Sequence, residues 1–167
     1  MKFFKKLIFV LMLSINQLSI ADCLSSIKQS APDSRYQLQN NNNEVKDLKT
    51  NLIWQRCAVG QSYSAASCNG SESLYTWSSA LQLAANMGNG WRLPNIKELK
   101  TLIEDSCYDI AINQTVFSKG MNLTKTNYWS ASPNANDANS AWKVNFDDGI
   151  ARPELKTELF AVRLVRN

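Results

Sequence analysis

The residues that could do chemistry in this chain are few, and what is missing narrows them further. There is no histidine among the 167 residues. That removes the commonest general base and the commonest metal ligand. Ser-His-Asp triads and the usual Cys/His zinc sites are therefore excluded. Four cysteines remain: Cys23, Cys57, Cys68 and Cys107. An even count reads as two disulfides if the protein is exported. Three connectivities are possible. Cys57–Cys68 is favoured because it closes a short polar loop rich in Ser, Ala and Gly, which leaves Cys23–Cys107 to pin the N-terminal arm to the body. A four-cysteine zinc site lacks the close CxxC spacing.

The other groups suited to a ligand are aromatic and basic. Trp129 and Trp142 are platforms for a sugar ring if exposed; core packing is the competing role, since both sit on alternating strand patterns. Lys119, Lys125, Lys143, Arg152 and Lys156 offer a basic patch for sulfate or another acidic glycan group, against the plainer reading of solvated surface charge. Asp137, Asn139, Asp147 and Asp148 supply hard oxygen ligands in two loops, so calcium is a further candidate. The lectin-type calcium triplet around a proline is absent, with Ser132-Pro133-Asn134 only a faint echo of it. No cofactor is otherwise expected.

The elements that position these residues begin after a leader. Lys2, Lys5 and Lys6 are followed by an unbroken apolar run, Leu7 to Leu13, and by Ser19-Ile20-Ala21 with small residues at the cleavage positions. This is the layout of a secretory signal over residues 1–21, with an apolar core too short for a stable anchor. A lipid-attachment site at Cys23 would want a small residue before it, where Asp22 stands. Three of the 18 Lys+Arg and none of the 14 Asp+Glu fall in the leader, so residues 22–167 carry 15 basic against 14 acidic groups. That near-balance gives no nucleic-acid footprint. No later stretch is apolar enough to cross a membrane. The expected location is secreted, periplasmic or on the bacterial cell surface.

Residues 22–44 read as an N-terminal arm ending in an Asn40–Asn43 turn. Val45 to Gln55 reads as two strand pieces around Lys49-Thr50-Asn51. Thr76 caps a helix whose apolar face is Trp77, Ala80, Leu81, Ala84 and Met87. Gly88 or Gly90 ends it. In Trp91–Leu99, Asn95 and Glu98 form a capping box for a second helix over 96–104, and Arg92 is best placed to tie a carboxylate or loop carbonyls beside the helix start. Strands follow: 127–132, 141–146 with Trp142, Val144 and Phe146 on one face, and 160–165 with Arg163 facing away from the core. Asp147-Asp148-Gly149 makes a hairpin turn. The order is that of an α+β domain.

These blocks resemble a known family. Asp47-Leu48-Lys49-Thr50-Asn51-Leu52-Ile53-Trp54-Gln55-Arg56-Cys57, Trp91 to Leu99, Tyr128-Trp129-Ser130-Ala131-Ser132, Ala141 to Gly149 and Val162 to Arg166 match, in order, the Lcl C-terminal domain family, the carboxy-terminal domain of a bacterial collagen-like adhesin. The resemblance covers 45–167. It implies a C-type-lectin-like fold, with two helices and a mostly antiparallel, loop-rich sheet. It also implies a recognition or adhesion module whose partner is a glycan, sulfated or acidic, or a cell-surface protein, held by the late loop 133–140 with the 117–127 segment and the 147–156 hairpin nearby. This chain has no Gly-X-Y tract, and so no collagen stalk. Two other roles are weighed. One is a structural part of a surface or filament assembly. The other is an enzyme like the formylglycine-generating oxidases, whose segment Arg92-Leu93-Pro94 resembles, but those need reactive cysteines near the C-terminus, and none follows Cys107.

Overall fold

The computed structural model describes residues 22–117 and 127–167. The leader over 1–21 and the lysines Lys119 and Lys125 lie outside them.

The chain forms β1 (Asp22–Cys23), β2 (Tyr36–Gln39), β3 (Glu44–Asp47), β4 (Ile53–Gln55), β5 (Ser62–Ser64), β6 (Ser67–Asn69), α1 (Trp77–Asn86), α2 (Ile96–Lys100), β7 (Cys107–Tyr108), β8 (Asn127–Pro133), β9 (Ser140–Asn145), β10 (Ile150–Leu155) and β11 (Val165–Arg166). It is an α+β fold with two helices, antiparallel sheets and two disulfides. One sheet has the order β11-β4-β3-β2, the other β10-β9-β8; β5-β6 and β1-β7 are small ladders.

Local chemistry explains the elements. The asparagine run turns the chain between β2 and β3 with Asn40, Asn41 and Asn42 all at positive φ, and Asn51 does the same between β3 and β4, a conformation asparagine tolerates. The Thr76 hydroxyl accepts from Ser79 N at the start of α1. Gly88, at φ +68°, ends it. The Asn95 side chain accepts from Glu98 N, and the Glu98 carboxylate accepts from Asn95 N at 2.8 Å. Only 96–100 are helical, however: at Thr101 the chain turns so that Leu102 and Ile103 reach the core and Glu104 N donates to Ala111 O. The apolar spacing was right about burial and too generous about helix length.

The cysteines pair as Cys57–Cys68 and Cys23–Cys107, with Cα separations of 5.5 and 4.0 Å. Every thiol is consumed, which excludes the tetrathiolate zinc site. The Cys23 sulfur is also not available for a lipid.

Two apolar clusters fill the interior. One gathers Val45, Trp54, Leu99, Leu102, Phe117, Tyr128, Val144 and Phe146; the other Ala80, Ala84, Leu93, Trp129, Ala141, Val162 and Leu164. Segment 159–166 joins the two sheets. Phe160 bridges Tyr75, Ala161 bridges Tyr128, and Val165 pairs with Trp54 and bridges Arg92. Only 165–166 form a regular strand, because the segment changes partner every one or two residues. Arg163, expected to face away from the core, is buried in it. Its guanidinium donates to Gln55 O at 2.9 Å and to Arg56 O, and lies over the Phe117 and Tyr128 rings.

Candidate functional site

Successive side chains on a strand face opposite ways, and β9 uses this to divide the residues singled out from the sequence. Lys143 pairs laterally with Trp129 on β8 and Arg152 on β10. These three share one face. Trp142, opposite Pro153, faces the other way, toward α2.

On the first face Trp129 takes the core-packing role and Lys143 is interior. Trp129 is fully buried; its indole N–H donates to Tyr75 O at 2.8 Å, and its ring packs 4.7 Å from that of Phe160. Lys143 is only 7 % exposed. Its ammonium donates to Asn127 Oδ1 at 2.6 Å and lies 5.3 Å over the Phe160 ring. Burial pushes that ammonium below the ordinary lysine range, with Glu154 and Asp148 opposing the fall and Arg152 adding to it. Arg152 is exposed and paired with Asp148 at 2.8 Å. Lys156 donates to Ala138 O at 2.6 Å and sits 4.5 Å over the Trp77 ring. Lys125 lies outside the described residues. Among the described members of the expected basic patch, Lys143, Arg152 and Lys156 do not gather into one exposed surface. Trp129 and Lys143 are interior residues because 159–166 and α1 cover their face of the sheet.

On the second face a groove of about 400 Å³ runs between α2 and the β9–β10 hairpin, lined by Ile96, Lys97, Lys100, Trp142, Gly149, Ile150 and Ala151. Its geometry follows from how α2 is held. Arg92 grips Glu98 through two hydrogen bonds of 2.7 and 2.8 Å, confirming the structural role read from the sequence. Ile96 N donates to Ser132 Oγ at 2.9 Å, and Ala131 N to Pro94 O at 2.7 Å, so the helix start is tied to β8. Leu99 points into the core. Lys97 and Lys100, at i and i+3 on the outer stripe, are left at the groove with no ion-pair partner among the described residues. The one carboxylate of α2 is neutralised by Arg92. Gly149, at φ +67°, lets the hairpin close: a Cβ there would come within 3.1 Å of Ala111 and Ile103 side-chain carbons. Trp142 is half-buried and Ile150 is exposed, so an aromatic wall, an apolar flank and two ammonium groups without an ion-pair partner among the described residues meet in one place. Lys97 and Lys100 were missed as site residues. Their only signal was the helical spacing that puts them opposite Leu99.

Among the described residues no group of three or more His, Cys, Asp or Glu side chains lies together to hold a metal ion. Asp137 accepts from Asn139 N, and Asp148 from Ile150 N and Arg152, so each is engaged within its own turn.

The fold and this groove define a disulfide-stapled α+β domain with a surface cleft, lacking a histidine and a free thiol. The sequence model of the Lcl C-terminal domain matches residues 43–166, and the chain belongs to that family. A comparison with curated proteins returns no match. The family points to a surface-associated bacterial domain, and the paired cysteines fit an extracellular setting. Among the described residues no helix is long and apolar enough to cross a membrane.

Proposed function

We propose that this domain is a non-enzymatic recognition module of the bacterial surface. It holds an anionic glycan in the groove between α2 and the β9–β10 hairpin. The observation that carries this reading is the meeting of Trp142 with Lys97 and Lys100, which have no ion-pair partner among the described residues. A sugar ring presents an apolar face to an aromatic side chain and hydroxyl or acidic groups at its edge, and two ammonium groups beside the ring suit sulfate or carboxylate. The two helices, the loop-rich antiparallel sheets and the family membership support a C-type-lectin-like scaffold. The absence of histidine and of free thiols speaks against a thiol-dependent oxidase.

The test is retention of the exported, oxidised protein on immobilised heparin, with a glycan array to name the sugar. Wild type is expected to elute well above physiological salt, Lys97→Ala/Lys100→Ala at markedly lower salt, and Trp142→Ala with weakened retention at every salt concentration. Equal elution of wild type and the lysine variant overturns the groove. If Lys97→Ala/Lys100→Ala instead abolishes capture of a bacterial or host surface protein while no glycan binds, the partner is a protein.

A further inference from the structure

The two disulfides differ in where they lie. Cys57 and Cys68 are 8 % and 1 % exposed, so this bridge is buried at the base of a loop that is itself largely exposed. Cys23 is exposed and Cys107 partly so. They also line a cleft of about 210 Å³ between the arm and segment 104–115, whose walls include Gln29, Asp33, Glu104 and Asn113.

The arm is attached at several points, and from Ser30 onward these include the Asn113 amide, which donates to Ala31 O at 2.9 Å and Asp33 Oδ1 at 2.7 Å; three others matter most here. The first is the Cys23–Cys107 bridge with its two-residue ladder and the Leu24 N to Ser106 O bond of 2.8 Å. The second is the buried Glu104 carboxylate, which accepts from Ser30 N at 3.0 Å and Ala31 N at 2.8 Å. The third is the Arg35–Asp47 ion pair. Residues 24–29 lie between the first and second, are exposed throughout, and carry Leu24 and Ile27 into solvent. The family match begins at 43, beyond all of them.

We propose that Cys23–Cys107 is a redox-operated latch. A small dithiol reductant opens it ahead of Cys57–Cys68, frees residues 22–29 and removes the part of the cleft wall that Cys23 and Gln29 form, while Glu104, Asn113 and Arg35 hold the chain from Ser30 onward. Thiol–disulfide exchange requires a thiolate to reach a sulfur atom, so access decides the order. The dithiol attacks one sulfur to give a mixed disulfide, the second thiol displaces it, and the two thiol protons pass to Cys23 and Cys107 as the reductant closes to its own disulfide. Nothing else is oxidised. The proposal is independent of the groove, which shares no residue with the latch.

Graded dithiothreitol on the native oxidised protein, quenched by acid, alkylated and read by peptide mass spectrometry, tests the order. Cys23 and Cys107 are expected to label together at a rate at least about tenfold faster than Cys57 and Cys68. Equal rates, or Cys57 and Cys68 first, overturn the latch. Hydrogen exchange on the selectively reduced protein tests the consequence: the Leu24 and Ile27 amides lose protection while Leu99 and Val144 keep theirs. Unchanged protection at 24–27 overturns the release. The C23S/C107S variant is expected to show the released pattern without reductant.

Discussion

Trp142 and Lys143 are neighbours in sequence and face opposite sides of the β8–β9–β10 sheet. One walls an open groove beside α2, and the other is locked under Phe160 with its ammonium on Asn127. A single strand therefore carries a groove-lining residue and a buried, hydrogen-bonded residue, one position apart.

The first prediction follows directly. Lys143→Ala removes a charged hydrogen bond and a cation–π contact from the interior. It should lower stability by about 1.5–3 kcal/mol, read as the shift of a urea-unfolding curve. Heparin retention of the folded variant should stay at the wild-type salt concentration. A stable variant with lost retention would return Lys143 to the binding surface.

Acid should unfold the domain through its hydrogen-bonded carboxylates. Burial would raise the Asp47 carboxyl, but hydrogen bonds from Arg35, from the Thr50 hydroxyl and from the Lys49 N–H outweigh it and hold the group below the usual range. Glu98, gripped by Arg92 and the Asn95 N–H, and Glu104, bonded by Ser106, Ala31 and Ser30, shift the same way against burial. A depressed carboxylate contributes stability that is fully present above its unfolded value. That stability is lost as pH falls through the folded value, so it should decline below about pH 4. Asp47→Asn leaves Arg35 buried without its counter-charge and should cost about 3–5 kcal/mol at neutral pH. Its stability should also fall less steeply between pH 4 and pH 2 than that of wild type, to within the precision of denaturant titrations.

Two glycines separate conformational strain from crowding. A Cβ on Gly88, at φ +68°, meets nothing within 4 Å, whereas one on Gly60, at φ +95°, lies 2.4 Å from Ser73 Oγ and 2.6 Å from Ser73 N. Gly88→Ala should cost on the order of 1 kcal/mol. Gly60→Ala should cost roughly 1–3 kcal/mol more and loosen the loop closed by Cys57–Cys68. Thermal or urea unfolding of the two variants side by side checks the difference.

What could be read from the sequence was what is local. Asn95 and Glu98 announce their capping box because the three-residue spacing is itself the geometry. The Asn40–Asn43 turn and the Cys57–Cys68 loop are legible for the same reason. Alternation in 141–146 correctly put Trp142 and Lys143 on opposite faces. Alternation says which residues share a face, though, and is silent on whether that face is covered. Lys143 and Arg163 looked solvated because charge usually is; segment 159–166, α1 and the arginine's backbone acceptors on β4 bury them. The groove was out of reach for another reason. Lys97 and Trp142 come together only because Pro94 and Ser132 tie the start of α2 to β8, and no short-range pattern encodes that contact.

The bridging of both sheets by 159–166 also governs time. Arg163 bonds to Gln55 and Arg56 across 108 and 107 residues, and Arg166 pairs with Glu44 across 122. Contacts this distant in sequence demand a large loop-closure entropy before they return any stabilisation, and they slow folding. Both core clusters wait on Val162, Leu164 and Val165, so a chain emerging from its N-terminus stays open until those residues arrive. The order of synthesis therefore sets the order of folding: the early strands can pair before either interior is filled.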